Sequence, residues 1–421
     1  MKSSALYICY ASVTEPLVHT QVLPYIGELG RRGVHFTLFT FEPKGVSASE
    51  LREAKQQLAQ LGVEWRWFRY HKRPSLAATV FDILVGALAS LVWCARHRVR
   101  IVHARSHVAG AMALVVKLIR GSIFIFDLRG LLAEEYVDAG HWREESLKFK
   151  LTKRMERVFF RRADALVMLT LRIKEELIES DPTLASRGQD ITVIPCCIDE
   201  ARFNVTAEQR EEYRRERNWN GRTVLAYAGK LGGWYLTREM VSFFATAHRL
   251  DPNLFFQILT HGDAAELRQS LIEQGIQPKD FDIRFERPDR LPLVLAASDA
   301  GISFIKPCYS KLASSPTKVG EYLAAGLAVV GNSGIGDCDA IFQDARLGVS
   351  VKQFTEAEYE KAARGLSVTL SDPAARPYRR RYAKQEFSLE TVGGPRYSAI
   401  YESLVEPRPA TMVSTTNINA D

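Results

Sequence analysis

The chain has 421 residues, 46% of them hydrophobic and 25% charged; this balance excludes a disordered or fibrous protein, and the length exceeds one compact core, so two domains are expected. A formal charge of +7 favours anionic partners (nucleotide phosphates, anionic lipid, nucleic acid) without choosing among them. The six cysteines, Cys9, Cys94, Cys196, Cys197, Cys308 and Cys338, are scattered and show no CxxC spacing. They read as reduced thiols of a cytoplasmic protein, with no structural zinc.

Residues 5–10 read as a first strand; the apolar run is short for a signal peptide and Glu15 follows soon after. A helix is expected over 21–32, stopped by Gly33, then a strand over 34–41, a helix over 50–61 and a strand over 63–68. The most apolar run, 81–94, contains Asp82 and is shorter than the roughly 20 residues that span a bilayer, so a buried helix over 81–98 is expected. Strand 101–104, helix 109–118, strand 122–126, a basic helix over 144–162 and strands 165–169 and 191–194 complete the first half. The charge-rich stretch 199–218 reads as a domain boundary. Strands 224–228, 254–259, 282–285, 300–304 and 328–331 then alternate with helices 238–249, 264–274, 291–297 and 317–325. A last helix, about 389–404, carries Tyr397, Ile400, Tyr401 and Leu404 and is expected to pack back on the first domain. The polar end, 406–421, reads as a disordered tail. The fold class is therefore α/β: two Rossmann-like, doubly wound domains (1–200 and 201–385) facing across a cleft, with a crossing-back helix (386–405).

The most informative segment runs from Ser314 and Ser315 through Pro316, Thr317 and Lys318 to Glu321. It is a hydroxyl-rich loop entering a helix at a proline, and such a helix start suits phosphate. Lys318 is a cation where the helix dipole prefers an anion, which suggests that something negative binds beside it. Glu321, one turn on, suits a ribose diol; an ordinary capped helix with a surface Lys–Glu pair is the plain alternative. Lys230 follows Gly229 at a strand end, where phosphates sit, or is simply solvated. Arg129, after strand 122–126, suits a phosphate or an acidic acceptor, or else an internal salt bridge with Asp127, Glu134 or Glu135. His107 suits the acceptor side or a backbone-satisfied position. The pairs Asp337/Asp339 and Asp280/Asp282 match Asp-x-Asp, but neither lies in an N-terminal nucleotide domain, so no metal or other cofactor is expected. The basic helix 144–162 interleaves Lys148, Lys150, Arg154 and Arg157 with Leu147, Leu151 and Met155; it fits an anionic membrane surface or a half-buried surface helix. No nucleic-acid module is present.

The segment 314–330 resembles the donor-binding helix of family 4 glycosyltransferases of the GT-B fold, followed by a strand and the Gly-rich turn 331–337. Tyr227–Leu231, the linker-like 194–199 with Phe203, Glu15–Leu17 with Gln21, and Phe126–Gly130 agree with it. The resemblance implies a metal-independent transferase that retains anomeric configuration. It implies a nucleotide diphosphate sugar, UDP- or GDP-linked, and a glycan or lipid-linked acceptor in cell-surface polysaccharide synthesis, with the enzyme on the cytoplasmic side or peripheral on the inner face of the plasma membrane. Donor contacts then fall to Gly229, Lys230, Arg287, Ser314, Ser315, Thr317, Lys318 and Glu321, with the base near 285–288. Acceptor-side contacts fall to Glu15, Gln21, His107 and Arg129, and the chemistry to Lys230, Lys318, Arg129 and His107. The chain departs from the family at Ala313, where many members have a first glutamate thought to contact the transferred sugar. It departs again at 232–235, where a lysine is replaced by Gly-Gly-Trp-Tyr. A non-catalytic nucleotide-sugar-binding partner and a nucleotide-sugar epimerase are the rival readings.

Overall fold

The structure, a computed structural model, describes residues 3–71, 73 and 75–405; the expected tail, 406–421, lies outside them. The β-rich runs form two all-parallel sheets. The first contains β1 (Ser3–Cys9), β2 (Val34–Glu42), β3 (Glu64–Arg69), β4 (Ile101–Arg105), β5 (Ile123–Asp127), β6 (Ala165–Met168) and β7 (Ile191–Val193), in the order β3-β2-β1-β4-β5-β6-β7. The second contains β8 (Thr223–Ala228), β9 (Leu254–Leu259), β10 (Phe281–Arg284), β11 (Ala300–Ser303), β12 (Ala328–Asn332) and β13 (Gly348–Val351), in the order β10-β9-β8-β11-β12-β13. The central strands are buried throughout, as parallel strands covered by helices on both faces must be. Each sheet reverses direction of growth at one point, between β1 and β4 and between β8 and β11. Ligand sites are expected at the C-terminal ends of those strands. This is the two-domain, Rossmann-like architecture of the GT-B type.

The chain crosses back at its end. Helix Ala375–Phe387 packs on the second domain, against helix Thr317–Ala324. Helix Gly394–Val405 packs on the first: the Tyr397 hydroxyl donates to Asp127 (3.1 Å), and Tyr401 is hydrogen-bonded to His103 (2.8 Å). At the crossing, Ile198 donates to the Phe387 carbonyl (2.7 Å) and Leu389 donates to that of Ile198 (2.9 Å).

The charge-rich stretch 199–218, read as a domain boundary, holds helix Ala207–Glu216, which is fastened to the second domain. Its buried Arg214 donates to the carbonyls of Ala297 (2.7 Å) and Trp219 (3.1 Å) and pairs with Asp299 (3.1 Å). The apolar run expected as a buried helix begins earlier, as helix Ser75–His97, and is turned the other way out. Ala78, Asp82, Gly86, Ser90 and Cys94 face inward, while Leu76, Val80, Leu84, Leu88 and Val92 are exposed. The basic helix runs Leu147–Arg162, with Ser146 as its cap.

Candidate active site

On the second domain, helix Thr317–Ala324 begins at Pro316 with no side-chain cap, leaving the first N–H groups of the helix open to a ligand. Lys318 is buried at 8% exposure and forms no ion pair among the described residues. Its ammonium lies 3.3 Å from the centre of the Tyr235 ring and 5.0 Å from that of Tyr227. Burial pushes it down to about 7 from 10.5, against the weaker pull of Glu321. Gly229 makes room for it. With φ at +142°, a Cβ at that position would stand 2.7 Å from the Lys318 Cε. Glu321 is half-buried; burial pushes its carboxyl up, opposed by Arg202 and Lys318. Lys318 and Glu321 thus lie on one helical face, and among the described residues no carboxylate comes within ion-pair distance of the lysine.

The remaining donor-side residues divide. Lys230 is exposed, and its backbone carbonyl takes the Tyr227 hydroxyl. Ser314 and Thr317 are half-buried at the helix entrance. Ser315 is committed to the linker, accepting from the Cys196 N–H (3.0 Å). Arg287 is 71% exposed and pairs with Asp289 (3.0 Å), so the expected donor contact is an exposed local ion pair here. The 285–288 region does offer a flat aromatic surface: Phe285 is half-exposed and lies 4.4 Å from the His261 ring, at the ends of β10 and β9.

On the first domain, a cavity of about 720 Å³ opens at the ends of β1 and β4. Glu15, Ser12, Arg105 and His107 line its polar part; Leu76, Val80, Ile83, Leu147, Leu151 and Met155 line its apolar walls. Glu42 fixes the loop after β1: the Val13 N–H donates to it (2.9 Å), as do the hydroxyls of Ser12 and Thr40. Glu15 is exposed and accepts from the Ser12 N–H (3.2 Å). His107 is buried and hydrogen-bonded to Glu156 through Nε2 (2.8 Å), a carboxylate rather than the backbone; its Nδ1 has no partner among the described residues.

Arg129, which lines the same cavity, and Gln21 are held in place by the fold. Arg129 is held between Asp127 (3.5 Å) and Gln21 Oε1 (3.2 Å), and Gln21 in turn donates to the Cys197 carbonyl (3.2 Å). Asp127, fully buried, also faces His103 (3.7 Å) and Arg105 (3.8 Å). Burial raises its carboxyl, but Arg129, His103 and Arg105 outweigh this and hold it far below the usual range. The arginine therefore builds the floor of the cleft.

The Asp-x-Asp pairs are engaged elsewhere. Asp280 pairs with Arg222 (2.7 Å), and Asp282 pairs with Arg284. Asp337 reaches across the cleft and caps helix Leu171–Ser180 of the first domain, accepting from the N–H groups of Leu171 (2.8 Å) and Arg172 (2.9 Å). Gly336 permits this approach; with φ at +44°, a Cβ there would fall 2.0 Å from the Ser314 carbonyl oxygen. Lys311, missed in the sequence, strengthens the same junction by pairing with Glu135 (2.8 Å) over the Trp234 ring (3.9 Å). Ala313, where the family's first glutamate would stand, is buried against the apolar core of the first domain. Asp337→Ala should cost about 1 kcal/mol through loss of the cap, measured by urea unfolding.

Comparisons agree with this geometry. Residues 18–197 match the family model of the glycosyl transferase 4-like domain. A glycosyltransferase from Rickettsia africae ESF-5 superposes with a TM-score of 0.73 at 14% identity, over 96% of this chain and 100% of that one. Anabaena HepE in complex with UDP gives 0.67 at 14%, over 96% and 99%. A putative UDP-N-acetylglucosamine 2-epimerase from Listeria monocytogenes gives 0.60 at 12%, over 96% and 97%. At such identities these likenesses speak for the fold. No curated protein sequence matches. The fold these likenesses define is that of the GT-B glycosyltransferases. More particularly, residues 18–197, within the first domain, resemble the glycosyl transferase 4-like domain, and the second domain adds the cleft helix that carries Lys318 and Glu321.

Proposed function

We propose that the chain moves a hexosyl group, with retention of configuration, from a UDP- or GDP-linked sugar to a glycan or lipid-linked acceptor in cell-surface polysaccharide synthesis, on the cytoplasmic side of the membrane. The observation that carries this reading is Lys318, a buried ammonium without a carboxylate partner at the open start of a helix. An arriving diphosphate supplies the missing anion and draws the lysine to its charged form. In the reaction, Lys318, Lys230 and the helix start stabilise the leaving diphosphate. That phosphate takes the acceptor's proton, so no protein base is needed and no metal is called for. Glu321 accepts from the ribose hydroxyls, and the base lies against Phe285 and His261. One relative in fold supports a nucleotide donor: HepE was solved with UDP and with UDP-glucose. The epimerase reading shares the fold, but the glycosyl transferase 4-like match favours transfer. The non-catalytic reading draws on Ala313, which stands where the resemblance expects a glutamate.

Thermal unfolding with UDP, GDP, ADP and CMP, each with and without EDTA, tests the reading. One diphosphate is expected to raise the melting temperature, and EDTA should leave that shift intact. No shift from any of them would contradict the donor site, and a shift without transfer or donor hydrolysis would favour the non-catalytic reading.

A further inference from the structure

Helix Ser75–His97 is amphipathic in the opposite sense to a helix of a water-soluble surface. The outward ridge Leu76, Val80, Leu84, Leu88 and Val92 repeats every four residues, and Leu84 and Leu88 are 63% and 64% exposed. The inward ridge, two residues out of step, is small or polar and packs against the first domain. The Asp82 carboxylate accepts from the Tyr10 hydroxyl (2.8 Å) and from the His71 N–H (3.0 Å), and Gly86 lies against Met112. The helix has the length and apolarity to cross a bilayer, but these inward bonds fix it against the first domain, so it lies along a membrane and does not span it.

The surroundings fit a bilayer. Leu118 and Ile119, on the helix that packs beside it, add exposed apolar surface. The basic helix Leu147–Arg162 flanks the same cavity mouth; its Lys148, Lys150, Arg154 and Arg157 are exposed and form no ion pair among the described residues. Leu76 and Val80 from one helix, and Leu147 and Leu151 from the other, both line the cavity and stand exposed at its rim. An apolar ridge flanked by unpaired cations matches the boundary between acyl chains and anionic headgroups. A patch of this extent is not left bare on a soluble monomer.

We infer that helix Ser75–His97 seats in an anionic lipid bilayer, with the basic helix on the headgroups, so that the first-domain cavity opens directly onto the membrane. The proposal does not depend on transfer activity, since docking is read without any donor. The test is flotation of the full chain with phosphatidylcholine vesicles, with and without phosphatidylglycerol. Binding is expected with the anionic vesicles and should weaken with salt. Leu84→Glu with Leu88→Glu should lower it by about tenfold or more, while the melting temperature and any nucleotide-induced shift stay unchanged. Lys150→Glu with Arg154→Glu and Arg157→Glu should remove the preference for anionic lipid. The proposal fails if the chain does not float with either vesicle, or if the leucine variant binds like the wild type. It also fails if sedimentation shows a dimer that the leucine variant breaks, because the ridge is then an interface between copies.

Discussion

Replacing Lys318 with methionine should make the empty protein more stable and the enzyme about 10²–10³-fold slower. The two effects oppose each other because they act on different states. In the empty protein the ammonium is buried beside Tyr235 and Tyr227 with no anion to pair with. An apolar chain of similar length removes that penalty, on the order of a few kcal/mol. In the transition state the same charge meets the leaving diphosphate, and methionine offers nothing there. The pH dependence has a definite sign. The folded-state value of Lys318 is depressed to about 7, so its penalty is fully present below pH 7. The penalty is relieved as the pH rises from about 7 towards the ordinary lysine value of 10.5. Urea unfolding of both proteins from pH 7 to 10 should show the stability gap narrowing. A lysine with a merely structural role would give a variant that is less stable and no slower than its folded fraction explains.

The second large effect is expected at the floor of the cleft. Asp127→Ala should destabilise the chain by about 3–5 kcal/mol, because it leaves Arg129 and Arg105 as uncompensated buried charges. Arg129→Ala should cost a similar amount, from the opposite sign of charge. Removing both should cost less than the sum, and the urea double-mutant cycle measures that difference. Asp127 is held below its ordinary value in the fold, so its contribution is present above pH 4 and fades as the pH falls further. If Arg129 instead touched substrate, Arg129→Ala would keep its stability and lose turnover alone.

These two sites mark what could be read from the sequence. Strands such as 101–104, 224–228 and 254–259 were legible because a doubly covered parallel sheet needs continuous apolar runs between helices. The Lys318–Glu321 helix was legible too, because a proline entrance, hydroxyl residues and a misplaced cation are local signals. The Arg129–Asp127 pair was legible as one alternative, but the holding of Arg129 by Gln21 and Cys196, and of Gln21 by Cys197, was not, because those partners meet only through the fold. The replacement of Lys by Gly-Gly-Trp-Tyr at 232–235 looked like a lost phosphate contact. The fold turns it into the aromatic bed on which Lys311 and Lys318 lie. Helix Ser75–His97 misled because its two ridges share one period, and the rule that apolar residues go inward selects the wrong face. The charge-rich 199–218 did not show its packing, because charge suggests solvent, whereas Arg214 uses its charge on buried carbonyls.

Binding of a nucleoside diphosphate at Lys318 is open to calorimetric titration of UDP and GDP into wild type and Lys318→Met, at pH 8 in buffers of different ionisation enthalpy. One site is expected for one of the two nucleotides, with proton uptake on binding because the lysine regains its charge, and both are expected to be lost in the variant. Equal binding by the two proteins, or no binding of either nucleotide to a folded wild type, would contradict it.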